Sequence, residues 1–111
     1  MSSYNLEHLL APASVAVVGA SDRPGSVGAT VWRNLLAGGF RGALWPVNRR
    51  HAVVAGVRAY TTPAQLPGVP DLAVICTPAP GIPALIGELG ARGTRAAIVL
   101  SAGLEGAADS G

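Results

Sequence analysis

No lysine occurs among the 111 residues, so all eight basic residues are arginines. They are scattered apart from Arg49-Arg50, with no aromatic residues interleaved. A nucleic-acid surface requires a basic stripe or patch, so the pattern argues against one and suits a local phosphate contact. Cysteine occurs once, as Cys76. One thiol cannot cross-link the fold; within an apolar run it reads as a small buried hydrophobe, compatible with a reducing cytoplasm. Charged residues are scarce (13 %) while half the chain is apolar, which excludes disorder. No apolar run approaches the ~20 residues that span a bilayer. Met1 to Leu10 carries Glu7 and no basic cluster, so it does not read as a signal peptide. Neither a nucleic acid nor a membrane is therefore an expected partner. Histidine is limited to His8 and His51. No Ser-His-Asp set, metal-ligand cluster or carboxylate pair stands out, and Asp22, Asp71, Glu88, Glu105 and Asp109 read as solvated. The length suits one domain over residues 1–111, and no catalytic residue is expected within it.

What the sequence does contain is organised around residues 15–28. Val15-Ala16-Val17-Val18 has the composition of a strand buried on both faces. Gly19 to Ser26 is a loop rich in Gly and Ser with one Pro. Val27, Val31 and Leu35 then recur at helical spacing. Glycines let a ligand approach the backbone, and the first N–H groups of a helix carry partial positive charge, so strand, turn and helix form a potential anion site. The glycines at Gly19, Gly25 and Gly28 are spaced more widely than in the dinucleotide fingerprint G-x-G-x-x-G.

The remaining segments extend this unit. Leu6, Leu9 and Leu10 predict a short N-terminal helix behind Asn5, stopped by Pro12. Strand 1 is expected at Ser14–Gly19 and a helix at Ser26–Ala37, closed by a left-handed cap at Gly38-Gly39. Trp32 on that helix reads as core. Ala43–Val47 predicts strand 2, with Pro46 near its end or at an unpaired position. Gly56–Tyr60 predicts a short strand 3, and Thr61-Thr62-Pro63 starts a helical turn to Leu66. Asp71–Cys76 predicts strand 4, Gly81–Ala91 a helix ended by Gly93, and Ala96–Leu100 strand 5. Alternating strands and helices give an α/β fold: a single-domain, doubly wound, Rossmann-like parallel sheet of order 3-2-1-4-5. The ligand crevice then lies at the C-terminal ends of strands 1 and 4, where the following loops bring Ser21, Arg49, Arg50 and Thr77 to one edge.

At the end of strand 2, an NAD site places a carboxylate for the ribose hydroxyls. Here Asn48, Arg49 and Arg50 stand instead. Guanidinium forks favour a phosphate near the ribose, which fits NADP or the 3′-phosphate of coenzyme A (CoA).

Four blocks then carry a resemblance: Val17-Val18-Gly19-Ala20-Ser21, Pro46-Val47-Asn48, Asp71 to Ile75 with Thr77-Pro78, and Val99-Leu100-Ser101-Ala102-Gly103. In this order the chain, from Leu6 to Gly103, resembles the CoA-binding domain of nucleoside-diphosphate-forming acyl-CoA synthetases. That domain is similar to the N-terminal domain of the succinyl-CoA synthetase alpha subunit. The resemblance implies a loop from Gly19 through Ala20, Ser21, Arg23, Gly25 and Ser26 to Gly28 that meets the pyrophosphate. It implies that the loop of Asn48, Arg49 and Arg50 meets the nucleotide's phosphates, with Val47 before it among the cofactor-binding residues. Thr77, Pro78, Ser101 and Gly103 would line the path of nucleotide and pantetheine. The family commonly has Pro then Lys after the Asn; here Arg50 keeps the charge and Arg49 replaces the proline.

The family's phosphorylated histidine lies in a later domain, so the resemblance implies a module that binds CoA or acyl-CoA without doing chemistry itself. The expected parent is an ADP-forming acid–CoA ligase, an ATP-binding enzyme of which this is the N-terminal part, with other domains or subunits as partners. Some relatives carry a fused acetyltransferase. The alternatives are a stand-alone CoA-binding or regulatory protein, an NADP-binding oxidoreductase domain, and a fold that has lost its ligand.

Overall fold

The computed structural model describes residues 12–77 and 79–100. The expected N-terminal helix, Pro78, Ser101 and Gly103 lie outside them. Six strands occur among the described residues: β1 (Ser14–Val18), β2 (Ala43–Val47), β3 (Val53–Val54), β4 (Val57–Arg58), β5 (Leu72–Ile75) and β6 (Ala96–Val99). The helices α1 (Val27–Ala37) and α2 (Ile82–Arg92) join β1 to β2 and β5 to β6.

Strands β2-β1-β5-β6 form one parallel sheet, with Val15 opposite Leu44 and Leu72. Alternate side chains of β1 go to opposite faces, as the pleat requires. Val15 and Val17 join Trp32, Leu72 and Val74 beneath α1. Ala16 and Val18 join Ala73, Ile75 and Leu89 beneath α2. Both faces are thus covered, which is why β1 and β5 read as unbroken apolar runs.

The helix ends follow their local chemistry. Ser26 caps α1, its hydroxyl accepting from Ala29 N at 3.1 Å. At the other end Gly38 stays right-handed, and the left-handed residue is Gly39, at φ +76°. Phe40 N then donates to Leu35 O and Gly39 N to Leu36 O, the paired bonds of a Schellman motif. Gly93 (φ +105°) closes α2 in the same way, with Thr94 N donating to Leu89 O.

The expected strand 3 is the main difference from the sequence reading. The order 2-1-4-5 stands, but the outer neighbour of β2 is reduced to one parallel bridge between Val47 and Tyr60. Tyr60 N donates to Pro46 O and Asn48 N to Tyr60 O, each at 2.9 Å. A residue in a strand points its N–H and C=O to the same side, so the ring nitrogen of Pro46 also faces this edge. The next ladder bond would need an N–H there, and proline has none. Arg58 pairs instead with Val53 in the antiparallel β3–β4 hairpin, turned at Ala55 (φ +50°) and Gly56 (φ +81°). That hairpin packs Val54 into the core beside Ala20 and Trp32.

Candidate functional site

β1 leads through α1 to β2 on one side, while β5 lies on its other side, so the direction of winding reverses between β1 and β5. In open α/β sheets, the crevice at the C-terminal ends of such strands is the binding position. Here Gly19 (φ +88°) leaves β1 pressed against the end of β5. A Cβ at Gly19 would stand 3.0 Å from the backbone carbon of Cys76 and 3.1 Å from the Thr77 methyl group. Only glycine fits both the backbone conformation and the space.

The loop after β1 is held by its own hydrogen bonds. Ser21 Oγ accepts from Arg23 N at 2.9 Å. Ser26 N donates to Arg23 O across a turn with Pro24 and then Gly25 (φ +83°) at its centre, the type II arrangement. Ser26 Oγ also donates to Arg23 O at 2.9 Å. Gly28 sets how closely α1 approaches β1, since a Cβ there would lie 2.0 Å from Gly19 O. Asp22, expected to be solvated, accepts from Ala55 N at 3.2 Å and ties the hairpin to this loop.

Asn48 joins the loops after β1 and β2. Its Nδ2 donates to Ala20 O at 2.9 Å, while its Oδ1 accepts from Arg50 N at 2.7 Å and His51 N at 2.8 Å. Its carbonyl and amide are thus engaged by protein, and they shape the turn that carries Arg49 and Arg50.

An open groove of about 880 Å³ runs from this edge along the α2 face. Gly19, Arg23, Val47, Asn48, Arg49, Arg50 and Thr77 line it, seven of the residues singled out in the sequence. Ser21, Gly25 and Ser26 belong to the loop beside it and Gly28 to the first turn of α1, rather than to its lining. Ala20 is fully buried, its carbonyl held by Asn48. The rest of the lining was not anticipated: Thr61, Thr62 and Pro63 from the turn after Tyr60, with Leu85 and Glu88 of α2. These residues belong to no motif, and only the packing of α2 beside residues 61–66 makes them a wall. The side chains of Arg23, Arg49, Arg50 and Glu88 have no ion-pair partner among the described residues.

Cys76 lies under the groove, 8 % exposed, and burial pushes its thiol up to about 11. It is therefore protonated and unreactive near neutral pH. The buried Oγ1 of Thr77 has no hydrogen-bond partner among the described residues. No group of three or more potential metal ligands occurs among the described residues, and none of their helices is long and apolar enough to cross a membrane.

Residues 13–109 match the CoA-binding domain family. The chain belongs to that family. It is 39 % identical over 110 residues to a trans-feruloyl-CoA synthase of an unknown prokaryotic organism, covering 99 % of this chain and 16 % of the relative. It is 34 % identical over 103 residues to the alpha subunit of the ADP-forming acetate–CoA ligase I of Pyrococcus furiosus, covering 89 % of this chain and 22 % of that subunit. Among solved structures, the acetyl-coenzyme A synthetase 1 of Ca. Korarchaeum cryptofilum, in complex with phosphate and ADP, superposes with a TM-score of 0.78. It is 36 % identical and covers 83 % of this chain and 20 % of that one. The chain therefore spans about a fifth of the length of these relatives.

Proposed function

We propose that this CoA-binding domain holds the nucleotide end of CoA or acyl-CoA in the groove at the β1–β5 switch point. It acts there as the N-terminal module of an ADP-forming acid–CoA ligase. The observation that carries the reading is the convergence of Arg23, Arg49 and Arg50 on that groove, where an NAD site would present a carboxylate. Guanidinium groups at the end of β2 suit the 3′-phosphate of CoA, and the glycine-rich loop after β1 suits the pyrophosphate. The names of the relatives support the ligase assignment. Their greater length supports a module within a larger enzyme.

In this reading the chain makes and breaks no bond. It contributes catalysis by positioning: anchoring the nucleotide fixes where the distal thiol can reach, and other parts of the ligase act on the acyl group. The protonated Cys76 is consistent with that role, because a thiol without thiolate character does not compete for an acyl thioester.

Titration of Arg50→Ala with CoA and with dephospho-CoA tests the assignment. Loss of a charge-assisted contact of about 1–3 kcal/mol weakens CoA roughly 5- to 150-fold and leaves dephospho-CoA nearly unchanged. Equal losses for both ligands would remove the 3′-phosphate from Arg50.

A further inference from the structure

We infer that Glu88 selects the base end of the nucleotide, its carboxylate accepting a hydrogen bond from the amino group of an aminopurine. This inference rests on the CoA reading above and extends it to a residue outside every motif.

Charge in the groove is segregated. The three arginines come from the loops after β1 and β2, whereas Glu88, the one acidic lining residue, comes from α2. Glu88 shares the groove with three guanidinium groups but forms no ion pair with them among the described residues. Phosphates are therefore favoured beside the loops after β1 and β2 and disfavoured beside Glu88.

The surroundings of Glu88 define what its own end accepts. Ala84 and Leu85 precede it by four and three residues, so they share its helix face and also line the groove. Thr61, Thr62 and the buried Pro63 line the same groove. Short apolar and hydroxyl side chains beside a carboxylate acceptor suit a flat, neutral body that carries an N–H donor.

Connectivity supplies the direction. With the 3′-phosphate at Arg49 and Arg50, the ribose lies at the end of β2. The next segment outward on that edge is Tyr60 to Pro63, which places the attached base between this segment and α2. The pantetheine arm leaves from the pyrophosphate, at the loop after β1. The donor that a purine offers there is its exocyclic amine, and an analogue without it leaves the carboxylate unsatisfied.

The test compares CoA with the analogue whose adenine amine is replaced by hydrogen, each titrated into the wild-type chain and into Glu88→Ala. Wild type is expected to prefer CoA by about 10-fold or more, and the variant to bind the two within about 2-fold. Alanine is a good helix former, so α2 persists, and circular dichroism checks that it does. Adenosine 3′,5′-bisphosphate, which lacks the pantetheine arm, should show the same dependence on Glu88. Undiminished discrimination in Glu88→Ala would overturn the inference. So would a loss seen with CoA but absent with the bisphosphate, which would move the contact to an amide of the arm. A wild-type chain that binds no CoA at millimolar concentration overturns the function itself, an outcome separable from both.

Discussion

Asn48 shows how one side chain can organise a site whose charges lie elsewhere. By accepting from Arg50 N and His51 N while donating to Ala20 O, it fixes the turn from which Arg49 and Arg50 project. Asn48→Ala removes all three bonds and leaves a fully buried residue's carbonyl without its donor. Urea denaturation should register a loss of about 1–3 kcal/mol, and calorimetry should find CoA affinity reduced with both arginines present. Cys76 provides a second prediction at this scale, with a definite sign. Its folded pKa of about 11 exceeds the ordinary 9.0, so the folded chain holds the proton more tightly than the unfolded chain. The associated stability is fully present below pH 9 and is lost as pH rises from about 9 to 11, on the order of 2 kcal/mol. Denaturation midpoints of wild type and Cys76→Ala, followed from pH 7 to 11, should show that extra decline in wild type alone. Thiol reagents at pH 8 should modify native Cys76 far more slowly than the unfolded chain.

Among the elements, the contact between α1 and the loop after β1 most directly joins fold to site. Gly28 lets the helix sit against Gly19 O, and any side chain there must push the two apart. Gly28→Ala should destabilise the chain by about 1–3 kcal/mol in urea denaturation and weaken CoA binding, because Gly19 lines the groove. Gly25→Ala is the control: nothing lies within 4 Å of its Cβ, so only the strain of its positive φ is felt. The elements differ in how legible they were beforehand. β1, β5 and both helices could be read because apolar runs, Ser26 and the terminal glycines each encode their state locally. The third strand could not, because the effect of Pro46 depends on which edge its nitrogen faces. That is decided by pairing with β1, 29 residues earlier (Val17 opposite Pro46). Likewise, the arginine wall was readable from loops that follow strands, whereas the wall of Thr61, Pro63 and Glu88 exists only through tertiary packing.

For the molecule as a whole, the fold gathers the loops after β1, β2 and β5, the turn at residues 61–63 and one face of α2 around one groove, with arginines from the first two loops and a carboxylate from α2. In the proposed function, this arrangement anchors the nucleotide end of a long, flexible thiol carrier. The competing ligand for such a site is NADP, which also carries a phosphate on the adenosine ribose but has a nicotinamide where CoA has pantetheine. Isothermal titration of the wild-type chain with CoA, dephospho-CoA and NADP therefore tests the account most directly. The account predicts saturable binding of CoA, weaker binding of dephospho-CoA, and NADP weaker than CoA by at least about 10-fold. Tight binding of NADP with none of CoA would contradict it.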